Sequence, residues 1–133
     1  MTVMTAKEYL QQYGQAMRRT HAISDHLAEL RAVCEQLRTE DGHRVALDAA
    51  VAELVDAERK VSDEVAQLCR IEAEVSCTIG RMSEPYRTLL YERYINGKTW
   101  EQIAVCMNYS YRHTTKLHGA ALRIVKDVLE CPT

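Results

Sequence analysis

Arg112 and Lys116 stand four residues apart, so on a helix their charges project one turn from each other on the same face. A guanidinium and an ammonium so placed suit the acceptor edges of guanine or two neighbouring phosphates. Ser110, Tyr111, His113 and Thr115 surround them with further polar groups. Ser110 and Tyr111 stand where such a helix would begin, and there the unpaired N–H groups and the helix dipole favour a phosphate. If Thr114, Leu117 and Ala121 pack inward, the 3.6-residue period turns Tyr111, Arg112, Thr115 and Lys116 outward, with His113 and His118 toward the flanks. The base-reading candidates are therefore Ser110, Tyr111, Arg112, His113, Thr115 and Lys116. Lys98 and Arg123 are candidates for phosphate contact, because the first helix of such a pair and its approach lie across the backbone. The plainer reading is that these side chains merely solvate an exposed face.

The elements that must position these groups are written in the preceding residues. Thr99 with Gln102 has the capping-box arrangement and opens a helix through Ile103 and Ala104. Ala104 is small where a second helix would cross. Asn108 is one of the few residues besides Gly that tolerates a left-handed backbone, as the turn requires. Ser110 can then cap the incoming helix. Tyr86, Leu89, Leu90, Tyr94, Ile103, Met107, Leu117, Leu122 and Val125 read as core, with Trp100 folded against Tyr94 or the third helix. Arg93 is expected to brace the domain by pairing with Glu101. Upstream, Ser83-Glu84-Pro85 reads as a helix start, with Ser as cap and Pro in the first turn.

The run from Tyr86 to Ala104 resembles the start of region 4 of sigma-70-type transcription factors. In that family a helix with the pattern of Leu89-Leu90-Tyr91-Glu92-Arg93-Tyr94 precedes a Thr-capped helix containing Ile-Ala, here Thr99 and Ile103-Ala104. The whole chain resembles small phage-encoded regulators that set a helical hairpin ahead of such a domain. The C-terminal resemblance covers about 45 residues and joins caps, turn and two helices; the N-terminal one is helical pattern alone. Thr114 departs from the family's usual Val or Ile beneath the recognition helix. Its hydroxyl can bond back to the carbonyl four residues earlier, which keeps the helix but leaves its angle open. The resemblance implies a sequence-specific, sigma-70 region 4-like regulator of double-stranded DNA, with RNA polymerase as a further candidate partner. Nothing equivalent to a promoter-melting region is present, so a complete sigma factor is not expected.

Charge follows the same boundary. The 133-residue chain carries a formal net charge of −2, but residues 1–80 hold 14 acidic and 9 basic side chains while residues 81–133 hold 5 and 8. The two parts are thus −5 and +3. A modest basic excess favours action as a dimer or beside a larger DNA-bound machine. Few Gly and Pro, no Phe and abundant Ala, Leu, Glu, Arg and Val favour helix almost throughout. There is no membrane-length apolar run and no signal-peptide pattern, so a cytoplasmic protein is expected.

The expected fold is all-α: a long antiparallel, coiled-coil-like helical hairpin over residues 1–82, then a small helix-turn-helix domain over 83–133. Thr5 and Glu8 form a capping box for the first helix. Leu10, Tyr13, Met17, Ile23, Leu27, Leu30, Cys34 and Leu37 follow at helical spacing, and the polar segment 38–43 with Gly42 breaks it. Leu47, Val51, Leu54, Val61, Val65, Leu68, Val75, Ile79 and Met82 then repeat in steps of four and three, interrupted by Glu58 and Glu72. That repeat is a coiled-coil signature. Val33, Val55, Cys69 and Ile71 lie beside or off the seam, and covering them by another copy predicts a homo-oligomer.

Five cysteines with no C-x-x-C pair argue against a zinc knuckle. Cys34, Cys69 and Cys106 are expected as small core hydrophobes and Cys131 as exposed. No metal-ligand spacing, Gly-rich phosphate loop or Ser-His-Asp set is present, so neither a metal nor any cofactor, nor enzymatic activity, is expected. Two alternatives stand beside the regulator: a coiled-coil adaptor, for example to RNA polymerase, that does not bind DNA, and a phage packaging subunit that recognises DNA.

Overall fold

The computed structural model describes residues 4–40 and 42–130, so the expectation for Cys131 lies outside the described residues. Every regular element among the described residues is helical. Helix α1 spans Ala6–Thr39 and α2 spans Arg44–Gly80. Helix α3, Tyr86–Leu90, runs on into a π-helical turn, Tyr91–Ile95. Helices α4, Trp100–Met107, and α5, Tyr111–Glu130, complete the chain.

The long helices start and stop as the local sequence dictates. Thr5 Oγ1 accepts from the Glu8 amide, and the Glu8 carboxylate accepts from the Thr5 amide, so the first capping box is closed. Gly42 takes φ +87° between α1 and α2, a conformation that costs a residue with a Cβ. Ser83, in contrast, is not a side-chain cap. Pro85 occupies the N-cap position of α3, which makes no side-chain cap bond. The Glu84 carboxylate instead accepts from Thr88 Oγ1 at 2.7 Å and Arg87 Nε at 3.0 Å, which tethers that first turn.

The chain divides into two compact units. One comprises Ala16–Cys69, the distal parts of α1 and α2. Its ion pairs Arg19–Glu64 and Arg31–Glu58 link the two helices. The inward positions of α1 here are Ala16, Thr20, Ile23, Leu27, Leu30, Cys34 and Leu37, in alternating steps of four and three. Thr20 is accommodated because its hydroxyl donates to the Ala16 carbonyl at 2.8 Å.

In α2 the seam departs from the sequence expectation at Val51 and Val65, while Val75, Ile79 and Met82 are buried as expected. Leu47, Leu54, Val61 and Leu68 do face inward, but the alternate positions are Ala50, Ala57 and Glu64, with Ile71 and Thr78 continuing the series. Val51 and Val65 are exposed, and Glu58 and Glu72, expected to interrupt the seam, lie outside it. Ile71, expected off the seam, is buried within it. Small Ala residues let the backbones approach, whereas the more apolar valines one position later mimic a seam in the sequence.

The second unit comprises Met1–Gln15 and Arg70–Thr133. Leu10, Val75, Ile79, Leu89, Leu90, Ile103, Ala121 and Val125 are almost fully buried in it. Tyr9 Oη lies 2.8 Å from Thr78 Oγ1, satisfying both hydroxyls where α1 meets α2. Of the expected core residues, Tyr94 is also buried, while Tyr86, Met107, Leu117 and Leu122 are half-buried. Cys34 is buried as expected, but Cys69 and Cys106 are exposed, because both fall on outward faces of their helices.

Candidate nucleic-acid interface

Helices α4 and α5 are joined by a short turn, and local interactions fix the turn and the start of each helix. Thr99 accepts from the Gln102 amide, and the Gln102 side chain accepts from the Thr99 amide, so α4 begins with a closed capping box. Asn108 ends α4 in the left-handed conformation, φ 61° and ψ 42°. Ser110 Oγ accepts from the His113 amide at 3.1 Å and starts α5. Thr114 is fully buried, and its hydroxyl donates to the Ser110 carbonyl at 2.9 Å. The polar atom beneath the helix is thereby satisfied within one turn.

Packing of Thr114, Ala121 and Val125 fixes which face of α5 meets solvent. Tyr111, Arg112, His113, Lys116 and Arg123 are exposed, as is Ser110. At 100° per residue, Arg112, Lys116 and Arg123 fall on one stripe opposite the buried face. Gly119 stands on the same stripe with open space around it. Three cations on one exposed face thus follow directly behind the turn. Thr115 is half-buried, and its hydroxyl donates to the Arg112 carbonyl at 2.9 Å, so it is turned to its own helix. His113 packs edge-on against Tyr109, with centroids 4.7 Å apart, while remaining exposed.

His118 does not lie on the flank of the outward face. It is partly buried, with Nε2 2.7 Å from Tyr94 Oη and its ring centroid 4.3 Å from that of Trp100. Burial holds its pKa down at about 4, and the nearby cations Lys7 and Arg93 add to the shift. The imidazole is therefore a neutral core group at neutral pH. Trp100 packs against His118 and beneath the Arg93 guanidinium, which sits 4.7 Å from the indole centroid. Arg93 also donates to the Lys98 carbonyl at 3.0 Å, so its bracing partners are the loop backbone and the indole rather than Glu101.

Lys98 is ion-paired to Glu92 of the π-helical turn. Asn96 Nδ2 donates to the same carboxylate at 2.9 Å. The Lys98 partner is the leading cause that lowers the Glu92 pKa, and Glu92 raises that of Lys98. Of the two phosphate candidates, Arg123 stands on the exposed stripe and Lys98 is already matched by a carboxylate. The Glu92 pairing was invisible to sequence spacing because the six-residue separation spans a turn, not a continuous helix.

Compared with protein-family models, curated proteins and solved structures, the chain matches none.

Proposed function

We propose that the chain is a sequence-specific DNA-binding transcription regulator of phage or prophage type. Its C-terminal helices would act as a sigma-70 region 4-like helix-turn-helix. The observation that carries this reading is the exposed Arg112–Lys116–Arg123 stripe on α5, immediately behind a capped turn with a left-handed Asn108. In that motif the N-terminal part of the second helix enters the major groove, where Arg112 and Lys116 would meet base edges and Tyr111 or Ser110 the adjoining phosphate. Arg123 would meet backbone. Contact of the same domain with RNA polymerase is an extension of this proposal from the sigma resemblance.

One observation favours a protein-binding role for α4. Val105 is 82% exposed and Cys106 beside it is exposed too, on the side of α4 away from its buried Ile103 and Ala104. A regulator that touches both DNA and a protein would use the α5 and α4 faces separately. Selection from random duplex DNA by the full-length chain tests the main reading. Enrichment of a common sequence is expected; failure to retain duplex above background even at low salt would favour the adaptor.

A further inference from the structure

Gly119 is the ninth of the twenty residues of α5. Glycine inside a helix is disfavoured, because it loses more chain entropy on folding than any other residue. It is kept where the backbone turns left-handed, or where another group packs against the bare main chain. Neither reason lies within this chain. Gly119 has ordinary helical backbone, unlike Gly42 and Gly97, whose φ angles are +87° and +69°. A Cβ placed on Gly119 would meet nothing within 4 Å.

What surrounds Gly119 on the outside is charge. At 100° per residue it falls within the stripe formed by Arg112, Lys116 and Arg123. Lys116 precedes it by roughly 4.5 Å along the axis and Arg123 follows by roughly 6 Å. All three cations are exposed, and none is ion-paired to a carboxylate among the described residues. The group complementary to that face is a polyanion.

We propose that Gly119 is the point where one sugar–phosphate strand of duplex DNA crosses α5, packed against the bare main chain. The inference rests on the DNA-binding reading and adds the place at which the helix leaves the groove. Lys116, one turn earlier, then reaches a base edge, and Arg123, one turn later, holds a phosphate. A side chain at position 119 would stand between strand and helix and hold both cations off their acceptors.

Gly119→Ala and Gly119→Leu in the full-length chain separate this role from a structural one. Ala and Leu are strong helix formers and the site has room, so both should raise the melting temperature by a few degrees. Affinity for the sequence enriched by the wild type, read by fluorescence anisotropy, should move the other way. It should fall about tenfold for Ala and further for Leu, as expected of overpacking at a close contact. Selection with the Ala variant should return the wild-type sequence, because the sugar–phosphate strand carries no base information. Undiminished affinity in both variants overturns the proposal. So does a lower melting temperature for Gly119→Ala, which would show that the fold itself needs the glycine. Preference relaxed at one base position would set Gly119 over a base edge and overturn the strand crossing. A wild-type chain that retains no duplex removes the DNA reading, and this inference with it.

Discussion

His118 illustrates how one side chain couples α5 to the core. Its neutral ring fills the space between Tyr94 and Trp100 while its helix presents Arg112 and Lys116 to solvent. Because the folded pKa of about 4 lies below the ordinary 6.5, the unfolded chain binds the proton more readily. Stability is therefore full above pH 6.5 and is lost as pH falls toward 4. Discounted for partial exposure, the loss should be about 1–2 kcal/mol. Denaturant titrations at pH 7 and pH 4.5 should show it, and His118→Gln should flatten that part of the profile. If the exposed α5 stripe meets phosphate as proposed, Arg123→Ala should lower the slope of log affinity against log salt by about one unit. Lys98→Ala should lower it less, because Glu92 already balances that charge. Glu92→Gln should raise the slope and non-specific affinity; an unchanged slope in filter binding would show that Lys98 stays clear of phosphate.

Helix α4 has only eight residues, so its ends carry much of its stability. Thr99→Ala removes half of a capping box and should cost about 1 kcal/mol. Asn108→Ala should cost a similar ~1 kcal/mol because φ is positive there, whereas Asn108→Gly should be near neutral. Thermal melts of the three variants check both. These local devices were legible in the sequence because each interaction closes within about four residues. Thr99 with Gln102, Ser110 with His113 and Thr114 with Ser110 all belong to that class. The orientation of His118 was not legible, since Tyr94 lies 24 residues away and the burial is set by packing. The seam of α2 was legible in period and at Leu47, Leu54, Val61, Leu68, Val75, Ile79 and Met82, but not at its alternate positions. Ala50 and Ala57 carry little hydropathy, so Val51 and Val65, which face outward, dominated the pattern.

At the scale of the whole molecule, the all-helical fold and the packing of two long helices follow from composition and period, whereas its grouping into units does not. The first residues of α1 and the last turns of α2 belong with α3, α4 and α5, because Tyr9, Leu10, Val75 and Ile79 are buried in that unit. From Arg112 to Arg123 the face of α5 that this core leaves in solvent is basic, with exposed Asp127 and Glu130 only in the last turn, and the proposed function rests on that basic part. The direct test is duplex binding by the full chain carrying Arg112→Ala and Lys116→Ala together, measured on the sequence enriched by the wild type. Both side chains are exposed, so the melting temperature should not change. Loss of the Arg112 contact alone should cost roughly 1–3 kcal/mol at that site, with site preference relaxed at one base position. The double variant should lose more, approaching non-specific affinity. Unaltered affinity and unaltered site preference in that variant would contradict the assignment of α5 as the DNA-reading helix.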